Sequence, residues 1–156
     1  MQIGRSLGAL EEYMHIEIRV ALYALIAVAW AGGVRAESDP KAFSCSFNDG
    51  TASTYENGAF KSRQPEPISL TITDVDLEGQ SARLVAEAGK PPAVLRIVRA
   101  INANHFLEVV NEGFLNLTTI YDKDPVSGAY PAVHSRHFGV LGQPLVAQYT
   151  GTCTEK

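Results

Sequence analysis

Cys45 and Cys153 stand near opposite ends of the region that follows an apolar leader, and this placement constrains the fold more than any other feature of the chain. The leader is read from "RVALYALIAVAWAGGVRA". Arg19 supplies a positive flank, Val20 to Trp30 is unbroken apolar sequence, and Val34-Arg35-Ala36 has the small-x-small form of a cleavage site. Extended to Val34, the run is 15 residues, short of the ~20 that a membrane-spanning helix requires. Residues 1–36 are therefore expected to be a signal-peptide helix, with Met14 giving a more compact start, and residues 37–156 a single exported domain. No cysteine follows Ala36 directly, which argues against a lipid anchor.

An even number of cysteines in an exported chain reads as disulfide bonding, and two cysteines allow one pairing. That bridge encloses 107 residues. In the chain-entropy picture a loop of that size contributes ~4.7 kcal/mol, a large share of the ~5–15 kcal/mol by which a domain is stable. It also has a topological consequence: the first and last strands must bring their Cα atoms within ~7 Å of each other.

Between the cysteines, short apolar runs alternate with turn signals about every ten residues, the pattern of an all-β protein. "KAFSCSF" runs into "NDG" and "TASTY" into "ENG", both expected to be hairpin turns. "ISLTITDVDL" places Ile68, Leu70 and Ile72 on one face and Ser69, Thr71 and Thr73 on the other. "SARLVAEA", "AVLRIVRAI", "HFLEVV", "FLNLTTIY", "AYPAVHSRHFG" and "LVAQYTGTC" follow, separated by "GKPP", "NAN", "NEG", "DKDPVSG" and "LGQP". Eight or nine strands joined by short loops pair as antiparallel neighbours. With its ends tied together, such a meander is a closed barrel or a sandwich with adjacent terminal strands, and the barrel is the expected form. The number of inward Leu, Ile and Val residues suggests a filled interior, with a small-ligand carrier, which would be hollow, and a small hydrolase with an unrecognised site as the alternatives.

Residues 37–156 carry ten Lys and Arg against fourteen Asp and Glu, scattered singly. No basic footprint for nucleic acid or anionic membrane follows from that balance. Trp30 is the single tryptophan and lies in the leader, which disfavours a sugar-stacking surface.

The densest chemistry is "YPAVHSRHFG", residues 130–139. On a strand, His134 and Arg136 share a face with Tyr130 and Phe138, whereas Ser135 and His137 point the other way. His134 and His137 therefore cannot bind one metal ion together, and His105 adds one ligand where about three must converge. Ser135 and His137, at i and i+2, have Cβ atoms ~6.5–7 Å apart, beyond the contact that a nucleophile needs with its base. Asp122 and Asp124 read as turn formers rather than as an orienting acid. Glu108 shares an apolar face with Phe106 and Val110, and a cross-strand pair with Arg96 would explain it. Asn116 begins an N-x-T sequon that falls within a strand pattern. No catalytic, metal or cofactor site is expected.

"FSC" at Phe43–Cys45, "GTC" at Gly151–Cys153 and "SGAY" at Ser127–Tyr130 together resemble the periplasmic C-type lysozyme inhibitor family of bacteria. The resemblance implies an eight-stranded barrel with a cysteine near each end and a serine loop that enters a lysozyme, with Ser127 in that role. "SGAY" is one residue short of the family spacing, and the family's second motif has no clear counterpart. The resulting expectation is a periplasmic or secreted barrel of about eight antiparallel strands, without enzymatic activity, that binds an envelope or host protein. Its contact residues would be Ser127, Tyr130, His134, Arg136 and Phe138, an arginine between aromatics being typical of interface hot spots.

Overall fold

The computed structural model describes residues 39–85, 91–110, 113–140 and 143–156. The signal-peptide segment expected at 1–36 lies outside the described residues. Alternation of buried and exposed side chains along nearly every segment produces nine strands: β1 (Phe43–Glu56), β2 (Ala59–Arg63), β3 (Ile68–Asp76), β4 (Ser81–Val85), β5 (Ala93–Arg99), β6 (Ala103–Val110), β7 (Phe114–Tyr121), β8 (Tyr130–Val140) and β9 (Gln143–Glu155). Each pairs antiparallel with its neighbour, and β1 also pairs with β9, so the sheet closes into a ring. Eight strands form the barrel, as expected. The ninth, β2, is a short exposed flap on the second half of β1.

The disulfide lies on the seam that closes the ring. Cys45 and Cys153 are directly opposed in the β1–β9 register, and the Cys45–Cys153 bond joins first strand to last. A formed disulfide is characteristic of oxidising, extracytoplasmic compartments. No helix among the described residues is long and apolar enough to cross a membrane.

"NDG" is not a turn. β1 continues through it as one strand with a register shift between Phe47 and Asp49, and the Asp49 carboxylate accepts a hydrogen bond from the Gly50 amide at 2.7 Å. Asn, Asp and Gly suit a bulge as well as a turn, because both need local side-chain bonding and a tight backbone. The bend lets β1 pair with β3 along its first half and with β2 along its second. It also brings β1 close to β9: a Cβ at Gly151 would collide with the Ser46 carbonyl oxygen. "ENG", by contrast, is a hairpin turn, with Asn57 and Gly58 both at positive φ.

A second shift occurs in β3. Ile68, Leu70 and Ile72 face inward as the alternation predicts, but Asp74 adopts a positive φ and the register slips, after which Val75 and Leu77 take the inward positions. One end of the barrel is thereby filled. Phe43 meets Phe106 and Tyr130 edge-on at 6.2 and 5.2 Å, over Ile72, Ile97, Ile120 and the disulfide.

Candidate functional site

The inner faces of β6 to β9 form rungs, because directly opposed residues in an antiparallel ladder point to the same side. Near the filled end the rungs are apolar and small: Ile120 opposes Ala132, which opposes Gly151. Toward the other end they become polar. Thr118, His134 and Tyr149 form one rung, and Glu108, Asn116, Arg136 and Ala147 form the next. Phe114, Phe138 and Leu145 follow at the rim, with the two phenylalanines edge-to-face at 4.8 Å.

His134 is 4% exposed and lies between the rings of Phe47 and Tyr149, at 5.7 and 6.0 Å. Its Nδ1 shares a 2.8 Å hydrogen bond with Thr118 Oγ1. Burial, reinforced by the nearby positive charge of Arg136, lowers its pKa from 6.5 to about 4. At neutral pH the imidazole is therefore uncharged, and the cationic group of this wall is Arg136.

In the next rung, Asn116 Nδ2 donates to Glu108 Oε2 at 2.7 Å. Arg136 lies over the Phe138 ring, its guanidinium carbon 4.9 Å from the centroid. Two buried atoms of this rung have no hydrogen-bond partner: Asn116 Oδ1, an acceptor, and Arg136 Nε, a donor. Glu108, Asn116, His134 and Arg136 line a cavity of about 290 Å³, bounded opposite by Ile68, Ser69, Leu70 and Leu84. The interior is thus filled at the disulfide end and hollow at the other, which corrects the expectation of a barrel filled throughout.

The expected contact strip is on the inside. Tyr130 and His134 are buried, and Arg136 and Phe138 are half-buried along the same inner face. Alternation along β8 identified the residues that share a face correctly, including the opposite directions of His134 and His137, but alternation does not say which face is inside. Ser127 is exposed in the β7–β8 turn, where its Oγ donates to Asp124 Oδ2 at 2.6 Å. That bond and two backbone amides hold the Asp124 carboxyl below its usual range. From Tyr130, beside this turn, to Arg136 is about 20 Å along an extended strand, so Ser127 and Arg136 belong to opposite ends of the barrel.

The Arg96–Glu108 pair does not form. Arg96 opposes Leu107, so it projects outward with Val94 and Val98 while Glu108 projects inward. A register one residue from the expected one moves a side chain to the other face. The sequon residue Asn116 is also inward, with its amide nitrogen engaged by Glu108. Ser135 and His137 lie on the outer face of β8, away from the cavity. Among the described residues, no three His, Cys, Asp or Glu side chains converge as metal ligands.

Asn116 and Thr118 were not singled out as site residues from sequence, although the signal was present. They occupy the phase of Phe114 and Ile120 in β7, and polar residues at positions expected to face a core mark an interior polar site. No family model, curated protein or solved structure matches the chain.

Proposed function

We propose that this chain is a non-catalytic binding barrel of the cell envelope, periplasmic or secreted, whose occupant is a small polar molecule held at the open end. The observation that supports this reading best is that Glu108, Asn116 and Arg136 line one wall of the 290 Å³ cavity, while Arg136 Nε, a donor, and Asn116 Oδ1, an acceptor, are buried without a partner. Leaving a buried polar group unpaired costs about 1–3 kcal/mol. A ligand that supplies both missing partners recovers that cost on binding. The volume is at the lower edge of ordinary ligand sites, about 300–1,000 Å³, and suits a metabolite rather than a peptide.

The non-catalytic part rests on how the polar groups are engaged. His134 is held by Thr118 and Glu108 by Asn116, leaving no acid–base pair poised around a nucleophile. Binding by a protein through the Ser127 turn is the competing reading, since that serine is exposed.

The two are separated by recovering the oxidised protein from envelope extract under mild conditions, denaturing it, and identifying what it releases by mass spectrometry. A small molecule retained by the wild type and lost in Arg136→Gln is the expected result. A co-purifying protein lost in Ser127→Ala, with no small molecule released, would overturn the cavity reading.

A further inference from the structure

Glu108 and Arg136 carry opposite charges on one interior wall, yet they are not an ion pair. Lys61–Glu56 and Arg83–Asp74 are ion pairs among the described residues, and both are exposed. Asn116 stands between Glu108 and Arg136 in the register, so their strands are two spacings apart, about 10 Å at the backbone. Asn116 spends its donor on the acid and leaves its acceptor free, while Arg136 leaves Nε free.

Half-buried charges that are kept apart rather than paired retain most of their desolvation cost. Each simple class of ligand relieves only part of it. A monocarboxylate satisfies Arg136 but is repelled by Glu108, and an amine has the reverse problem. A neutral sugar leaves both charges uncompensated and finds no tryptophan to stack on among the described residues. A molecule with an ammonium and a carboxylate on the same carbon meets both charges at once. The facing wall, Ile68, Ser69, Leu70 and Leu84, is aliphatic at three of its four residues and suits a branched apolar side chain.

We infer that the occupant is a zwitterionic α-amino acid with an aliphatic side chain. Its ammonium group lies beside the Glu108 carboxylate, its carboxylate takes the guanidinium of Arg136, and its side chain rests on Ile68, Leu70 and Leu84. This inference rests on the binding-barrel reading and specifies its ligand. Sites built around hydrogen bonds discriminate strongly against analogues that lack one partner, because the group left behind stays buried and unpaired.

The test is calorimetric titration of the oxidised protein, produced from the full-length chain, with L-leucine, 4-methylpentanoate and 3-methylbutylamine. A pool of small sugars and hydroxy acids is run alongside. The expected result is that L-leucine binds at least tenfold more tightly than either truncated analogue. Glu108→Gln is expected to abolish the preference for L-leucine over 4-methylpentanoate, and Arg136→Gln the preference over 3-methylbutylamine. The analogue series on the unaltered protein stands even if a variant fails to fold. Equal binding of L-leucine and either analogue would overturn the zwitterion assignment, as would binding of a member of the pool but not of L-leucine. In both cases the barrel would remain a small-molecule site. If neither L-leucine nor its analogues nor the pool binds, the binding-barrel reading fails together with the inference.

Discussion

The two ends of the barrel are built from the same strands and differ in what those strands place inside. At the disulfide end, β1, β3, β5, β6, β7 and β8 contribute Phe43, Ile72, Ile97, Phe106, Ile120 and Tyr130, all buried against one another. At the open end, β6, β7 and β8 contribute Glu108, Asn116 and Arg136, half-buried around a cavity with two polar atoms unsatisfied. Side chains at one end find partners within the chain, while those at the other are left wanting them. Stability is therefore concentrated at the stapled end, and the open end is free to sacrifice some of it for binding, as functional sites commonly do.

The largest expected effect is at the staple. Replacing Cys45 and Cys153 by alanine releases a loop whose closure is worth about 4.7 kcal/mol in the chain-entropy model. Urea unfolding of the double variant should show a loss of that order, and a loss below about 1 kcal/mol would mean that the seam is held by strand pairing alone.

Acid sharpens the contrast from the other side. His134 has a folded-state pKa of about 4 against 6.5 unfolded, so between those values the unfolded chain binds a proton that the folded chain refuses. Stability is unaffected by this group above pH 6.5, falls as pH drops through the window, and reaches its full loss below the folded value. At ~1.4 kcal/mol per unit the loss is about 3 kcal/mol. Unfolding midpoints from pH 8 to 4 should fall more steeply for the wild type than for His134→Gln, and parallel profiles would count against a buried, neutral imidazole.

Arg136→Met is expected to act in the opposite direction. It removes a half-buried charge that has no acid partner among the described residues, so stability should rise by about 1 kcal/mol while ligand binding is lost. A loss of several kcal/mol would instead make Arg136 a structural residue. The smallest effect is expected at Ser127→Ala, which deletes the hydroxyl bond to Asp124. The Asp124 carboxyl should titrate closer to its ordinary range by NMR, with binding at the open end unchanged.

The barrel was legible in the sequence because one constraint, the joining of Cys45 to Cys153, turned a list of strands into a closed ring. Local chemistry was legible only up to its ambiguities. "NDG" satisfies a bulge as readily as a turn, and the bend it makes depends on β9 lying close enough to forbid a Cβ at Gly151. Arg96 and Glu108 were assigned to each other on a register that was off by one residue, a quantity fixed by the tight turn from Arg99 to Asn104 rather than by either side chain. The site was harder still. The inward set of β8, with Tyr130, His134, Arg136 and Phe138, is no more apolar than the outward set, with Pro131, Val133, Ser135 and His137. Hydrophobicity could not orient that strand, and only closure of the ring did so.

The central claim is that the Glu108–Asn116–Arg136 rung is a binding wall awaiting a partner. It is tested most directly at the side-chain Nε–H of Arg136, observed by ¹⁵N NMR in the free protein and after addition of small polar metabolites, L-leucine among them. The account predicts a resonance with the shift of an Nε–H that has no acceptor in the free protein and that moves on binding, together with His134 and the Asn116 side-chain amide. An Arg136 Nε–H that already has the shift of a hydrogen-bonded group and does not respond, with any shifts confined to the Ser127 turn or the outer face, would contradict it.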